Sequence, residues 1–241
     1  MPIQYVREPG EFILWPDATH APALGVESNR LRTCIDEVKR RRLRGVFGTV
    51  PYFREQSLEF LRELPSLEAV AFWDIPLSDI SALYELRSLR YLRLTADRPA
   101  IEFAKLLSLR AVVWHYLPGD SGIDEVRQLE ELYLWRYRPS GRSCVDLRLP
   151  SSLRQLSIVW SNVGTLKGLP KLPNLLRLEV SRCRNLESLE GLAESCPNLE
   201  ALLISSSGRL RAEEGIRVAS ALPSLRHVVA GNRLLLDPNA A

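Results

Sequence analysis

Few residues in this chain have the types and spacing to do chemistry. Gly119-Asp120-Ser121-Gly122 sets a carboxylate beside a hydroxyl with His115 close upstream, which supplies the nucleophile, base and acid of acyl transfer. Cys144-Val145-Asp146 places a thiol near a carboxylate, and a thiol becomes a nucleophile only in an electropositive, accessible site. His20, His115 and His227 share no metal-ligand spacing, and Cys34, Cys144, Cys183 and Cys196 include no C-x-x-C pair. No Walker-type glycine loop is present, which argues against a nucleotide switch. Lys39-Arg40-Arg41-Arg42-Leu43-Arg44 is the strongest basic cluster. With Asp36 and Glu37 beside it, the run reads as the solvated side of a helix before it reads as a nucleic-acid contact.

Which of these residues can act depends on the elements that carry them, and those are set by a repeat. A block L-x-x-L-x-L starts at Leu43, Leu67, Leu89, Leu109, Leu129, Leu153, Leu175, Leu199 and Leu225. Within it the apolar residues alternate, as in Leu89-x-x-Leu92-x-Leu94, which predicts a half-buried strand. Between blocks the apolar residues step by three: Leu77, Ile80, Leu83, Leu86, Leu89, and again Leu166, Leu169, Leu172, Leu175. That cadence predicts a 3₁₀-like or short extended return with every third side chain on one side. Proline precedes the strand leucine in Pro65-Ser66-Leu67, Pro173-Asn174-Leu175, Pro197-Asn198-Leu199 and Pro223-Ser224-Leu225, where it stops the returning segment. A unit built this way cannot bury its apolar side alone, so units must stack.

By these blocks the chain resembles the leucine-rich repeat family over residues 43–236. The resemblance implies an α/β solenoid, a horseshoe with a parallel concave β-sheet and short 3₁₀, helical or extended convex segments. The expected organisation is an N-terminal segment and capping helix (1–42), a repeat array (43–236) and a short tail (237–241). Residues 28–42 predict the amphipathic capping helix, with Ser28 or Asn29 as N-cap and Leu31, Ile35 and Val38 on one face. At the C-terminus only Leu234-Leu235-Leu236 is available to cover the last repeat. The family's asparagine-or-cysteine position, three residues after the last strand apolar residue, holds Cys183, Ser161 and Ser207 but Tyr137 and Leu117 in the middle units. Cys183 therefore reads as a hydrogen-bonding ladder residue rather than a reactive thiol.

Against this scaffold the chemical motifs lose their force. The Ser121 segment resembles the nucleophile segment of chymotrypsin-like proteases, yet Ile123 stands where that family has glycine, and the register puts the segment in a loop. Cys144-Val145-Asp146 matches the C-x-D nucleophile of bacterial ubiquitin ligases that carry leucine-rich repeats. Those ligases place it in a separate helical domain, whereas here it falls inside the fifth unit. No catalytic residue, metal or cofactor is expected.

The third, fifth and seventh residues of each block point away from the core and form columns on the sheet, with adjacent strands about 4.8 Å apart. The expected partner-binding residues are Phe47, Trp73, Tyr91, Arg93, His115, Tyr133, Trp135 and Arg177 on the strands, with Tyr116, Arg136 and Trp160 just beyond them. The outer column ends at Ser181, Ser205 and Gly231, so the last units present small residues. Trp114 falls in the inward register. Tryptophan, tyrosine and arginine are the residues of protein-binding hot spots, which points to a non-catalytic protein–protein interaction module, an adaptor or an inhibitor of the immunity type. A different reading packs some of these rings on one another or on the N-terminal segment. The alternative function is nucleic-acid binding through Arg93, Arg136, Arg138, Arg142 and Arg177, tested by a steep salt dependence. The formal charge of +3, from 32 basic and 29 acidic residues, gives no global field for nucleic acid or an acidic membrane. Without an apolar run long enough for a leader or a membrane span, and without N-x-[ST] acceptors, the expectation is a cytoplasmic protein. The oligomeric state is left open.

Overall fold

The computed structural model describes all residues except 1–5, 8–11, 17–20, 208, 231–232 and 237–241. His20, Gly231 and the 237–241 tail lie outside the described residues. Two compact units result, the first of residues 1–112 with 118–121, the second of 113–117 with 122–241.

In the first unit the strands are β1 (Val6–Arg7), β2 (Ile13–Trp15), β3 (Ala23–Gly25), β4 (Gly45–Thr49), β5 (Ala69–Trp73) and β6 (Tyr91–Leu94). β1–β2 and β2–β3 pair antiparallel; β3–β4, β4–β5 and β5–β6 pair parallel. The parallel ladder thus begins one strand before Leu43. The amphipathic helix α1 (Leu31–Arg41) is the return path of this extra turn, and Cys34, Ile35 and Val38 are its buried apolar residues. Its N-terminus also differs from expectation. A 3₁₀ turn, Ser28–Arg30, leads into α1 and Arg30 is the capping position. Ser28 Oγ is taken up elsewhere, accepting the Arg54 N–H at 2.8 Å. In β4, Gly48 stands where β5 and β6 carry Phe72 and Leu94, because a Cβ there would lie 2.5 Å from the Phe72 ring.

The three-step cadence becomes backbone geometry. Leu61, Leu64 and Leu67 donate in turn to the carbonyls of Leu58, Leu61 and Leu64, and Leu83, Leu86 and Leu89 to those of Ile80, Leu83 and Leu86. These i→i+3 bonds close the 3₁₀ turns Glu59–Glu63 and Ser81–Glu85, with a shorter one at Phe103–Lys105. All of these leucines and Ile80 are buried.

β7 (Ala111–His115) has its first two residues in the first unit and its last three in the second. The second unit continues with β8 (Glu131–Trp135), β9 (Gln155–Val159), β10 (Arg177–Ser181), β11 (Ala201–Ser205) and β12 (His227–Ala230), which pair parallel in that order. Its return paths are a 3₁₀ turn at Ile123–Glu125, the short α2 (Leu192–Ser195) and α3 (Ala212–Ala221). Strand β13 (Arg233–Leu236) turns back antiparallel on β12, so Leu234-Leu235-Leu236 covers the free side of the last parallel strand by pairing with it.

Strand entry repeats one device. Two successive N–H groups converge on one carbonyl of the preceding repeat: Glu68 and Ala69 on Arg44, Arg90 and Tyr91 on Glu68, Arg154 and Gln155 on Glu130, Leu176 and Arg177 on Arg154, Glu200 and Ala201 on Leu176. The repeats are thereby locked in register before any side chain is considered.

One charged pair lies inside the first unit. Arg98 grips Asp120 in two parallel bonds, Nη1 to Oδ1 at 2.8 Å and Nη2 to Oδ2 at 2.9 Å, with both side chains almost wholly buried. Asp120 Oδ1 also accepts the Ile101 N–H at 2.7 Å, which fixes the loop that carries Ser121.

Leu92 and Leu178 are fully buried strand residues, so alanine at either should cost ~2–5 kcal/mol in chemical denaturation; an unchanged midpoint in both would show the register to be wrong. Asp120→Asn should cost ~3–5 kcal/mol, since it leaves the Arg98 charge buried without its counter-ion, and a loss below ~1 kcal/mol would make the pair incidental.

Candidate functional site

The strand face of each unit was expected to carry the binding residues, and the two units treat it differently. In the first, β2 lays Trp15 across it. Trp15 meets Phe47 edge-on at 6.0 Å, Trp73 at 6.3 Å and Tyr91 at 6.4 Å between ring centroids. Phe47 and Trp73 stack face to face beneath it at 5.8 Å. Phe47, Trp73 and Tyr91 are left only 2%, 8% and 4% exposed. The expectation that these three form accessible surface is therefore corrected: they are the core under an N-terminal hairpin. The signal was the run Phe12-Ile13-Leu14-Trp15, apolar enough to be a strand with rings of its own to bury. Arg93 is partly buried, its guanidinium 4.8 Å from the Trp73 ring centroid.

In the second unit His115 stacks on Trp135 at 5.1 Å, and Trp135 meets Trp160 edge-on at 5.1 Å. Tyr133 is half-buried and Arg177 exposed, both on the outward side of their strands, while Leu132 and Leu134 are buried. Trp114 is buried, as its register requires. Tyr116 sits between it and Tyr137, at 5.4 Å and 5.0 Å, so this ring links the strand edge to the interior more than it faces outward.

What aims Arg136 and Trp160 is a turn that recurs after the strands. Arg136, Trp160, Arg182 and Ser206 each follow a strand's last residue and take φ values of 57°, 53°, 56° and 52°. This left-handed conformation costs a residue with a Cβ roughly 1–2 kcal/mol. The first three repay it by extending the ladder one step. Their N–H groups donate to Val159 O at 2.9 Å, Ser181 O at 3.1 Å and Ser205 O at 3.0 Å on the following strand. The Arg182 guanidinium lies 4.9 Å from the Trp160 centroid and that of Arg136 5.9 Å, so one indole orients two cations. Trp160 itself is 37% exposed. Arg182 was missed in the sequence although it follows Arg136 and Trp160 at the repeat interval.

One residue further on, the expected ladder position is used as proposed for Cys183, whose Sγ lies 3.6 Å from Ile158 O and 3.4 Å from Ser181 O. Ser161 donates to Tyr137 O and Ser207 to Ser205 O. Tyr137 instead fills its position with a buried ring.

The chemical candidates have structural employment. Cys144 is fully buried, and that burial pushes its thiol up to about 12; burial likewise holds Cys183 at about 11 and Cys196 at about 12. A thiol held protonated does not attack. Asp120 is consumed by Arg98. In the basic run, Arg40 and Arg41 bond Glu37, whose carboxyl they pull down to about 2, while Lys39 bonds Glu63 and Arg44 bonds Glu68. Among the described residues no group of three metal-type side chains converges, and no helix is long and apolar enough to cross a membrane.

No protein-family model matches the chain, and no curated protein does. Among solved structures it is similar to a leucine-rich repeat protein of Leptospira interrogans, with a TM-score of 0.53 and 22% identity over 78% of this chain and 50% of that one. The chain spans about half the length of that neighbour. The leucine-rich repeat domain of the type III effector XopL follows at a TM-score of 0.44 and 16% identity, covering 87% of this chain and 68% of that one. An internalin of Listeria monocytogenes gives 0.39 and 16%, over 74% and 65%. The last two likenesses are too low to carry weight. The repeated strand blocks, the parallel register of successive strands and the Leptospira likeness together establish a leucine-rich repeat fold for this chain.

Proposed function

We propose that this chain is a non-catalytic protein-binding module whose partner docks on the strand face of the second unit. The observation that carries this reading is the cluster of His115, Trp135 and Trp160 with Arg136 and Arg182: two rings half-exposed on their strands, and a third held with the two arginines by turns whose N–H groups extend the ladder. Tyr133 and Arg177 extend the face along β8 and β10. Tryptophan and tyrosine at such positions give up exposed apolar area on docking while losing few rotamers, and Arg136 and Arg182 are already oriented over the Trp160 ring. An adaptor or an inhibitor of the immunity type fits a face that binds and carries no activated nucleophile. Four buried free thiols suit action in a reducing compartment such as the cytoplasm.

The test begins with affinity capture of the partner from native lysate. Trp135→Ala and Tyr133→Ala should then each weaken its binding by ~2 kcal/mol or more in calorimetry with little change in melting. Leu132→Ala should do the reverse. Ser121→Ala and Cys144→Ala should retain full affinity. Full affinity in both aromatic variants would move the interface off this face, and binding lost in Ser121→Ala or Cys144→Ala with the fold intact would restore an enzyme reading.

A further inference from the structure

The second unit holds a basic groove that shares Trp160 and Arg182 with the proposed docking face and extends beyond it. It has a volume of 640 Å³ and is lined by Arg138, Arg182, Arg184, Trp160, Asn162 and Asn185. A water molecule takes about 30 Å³, so the space suits a stretch of chain rather than one small ion. Several arginines elsewhere are neutralised, Arg41 by Glu37, Arg44 by Glu68, Arg98 by Asp120 and Arg209 by Glu187, while others such as Arg154 and Arg177 stand as single exposed charges. What distinguishes the groove is that three arginines line one space. Among the described residues Arg138, Arg182 and Arg184 meet no carboxylate. Three like charges gathered without counter-ions repel one another, and a bound anion relieves that repulsion. Arg182 is already oriented by the Trp160 ring at 4.9 Å, which reduces the entropy lost when its planar fork engages a carboxylate.

A second observation narrows the ligand. Asn162 Oδ1 is buried at the groove and has no hydrogen-bond partner among the described residues. A buried acceptor in this state costs free energy until a donor arrives. The ligand must therefore bring both oxyanions and an N–H. An acidic peptide brings both. Nucleic acid also brings both, through its phosphates and its bases, but it wants an extended track of cations, whereas Glu131 and Glu179 lie on the neighbouring strands.

We infer that this groove binds an acidic segment of the partner protein, with carboxylates on Arg138, Arg182 and Arg184 and an amide N–H on Asn162 Oδ1. The inference rests on the reading that the chain binds a protein, and adds the chemistry of the segment it binds.

The test uses synthetic probes in place of the partner, so its failure leaves the aromatic face standing as a docking surface. Fluorescence anisotropy is measured with a labelled peptide of alternating glutamate and glycine, its glutamine counterpart, and labelled single-stranded oligothymidylate. The glutamate peptide should bind, and binding should weaken as sodium chloride rises from about 50 to about 200 mM. The glutamine peptide should not bind. Arg182→Gln with Arg184→Gln should weaken glutamate-peptide binding at least about tenfold, whereas Arg209→Gln should leave it unchanged. Circular dichroism melting confirms that the variants are folded; all three arginines are exposed. Equal binding of both peptides, absence of binding, or equal loss in Arg209→Gln would each overturn the inference. Tighter binding of the oligothymidylate, lost in the same double variant, would overturn it in favour of nucleic acid.

Discussion

No repeat of this chain can satisfy its own backbone. The strand N–H groups and carbonyls of one repeat find their partners on the next, and at each strand entry two N–H groups share one carbonyl of the repeat before. The leucines that face inward are covered in the same way. From this dependence on neighbours the other features follow. The array must be closed at its ends, done by antiparallel strands on β3 and on β12. After β8, β9 and β10 the next residue takes left-handed geometry and its N–H extends the ladder one step. That turn then decides where Arg136, Trp160 and Arg182 are presented.

The same rule separates core from surface on the strand face. An outward residue is accessible only where nothing is laid over it. In the first unit Trp15 is laid over it, and Phe47, Trp73 and Tyr91 become an aromatic core of edge-on and stacked rings worth about 0.5–1.5 kcal/mol per pair beyond area burial. In the second unit the corresponding rings pack against one another and against guanidinium groups, yet Trp160 stays 37% exposed. Polar groups are treated with the same economy. Asp120 and Cys144 resemble parts of active sites in sequence, but one is held by a buried arginine and the other lies in an apolar interior.

The repeat was legible because it is periodic. Leu89, Leu92 and Leu94 alternate as a strand must, and the step of three from Leu77 to Leu89 is the step of the i→i+3 bonds that form there. Where periodicity ends, so did the reading. β3 has only Leu24 turned inward and lacks the leucine block, which hid the first parallel pairing. Ser28 has the chemistry of a helix cap but is taken by the Arg54 amide, a contact between residues 26 apart in sequence that no local pattern encodes. Alternation could place Phe47, Trp73 and Tyr91 on the outward side of the sheet. It could not show that Trp15 would cross over them, since that depends on where an irregular hairpin folds. Arg182 and Arg184 escaped notice because single arginines after strands look like solvated charge until the turns bring them to one groove.

The central claim is that the outward tryptophans of the two units differ in access: Trp73 is buried beneath the N-terminal hairpin in the first, whereas in the second Trp135 is half-buried and Trp160, on the turn after its strand, is exposed. Fluorine-19 magnetic resonance of 5-fluorotryptophan-labelled protein, with a soluble paramagnetic agent and each resonance assigned by a single Trp→Phe variant, measures that access directly. The account predicts strong relaxation enhancement for Trp160, a clear but smaller one for Trp135, and almost none for Trp15, Trp73 and Trp114. Enhancement at Trp73 as strong as at Trp160 would contradict it.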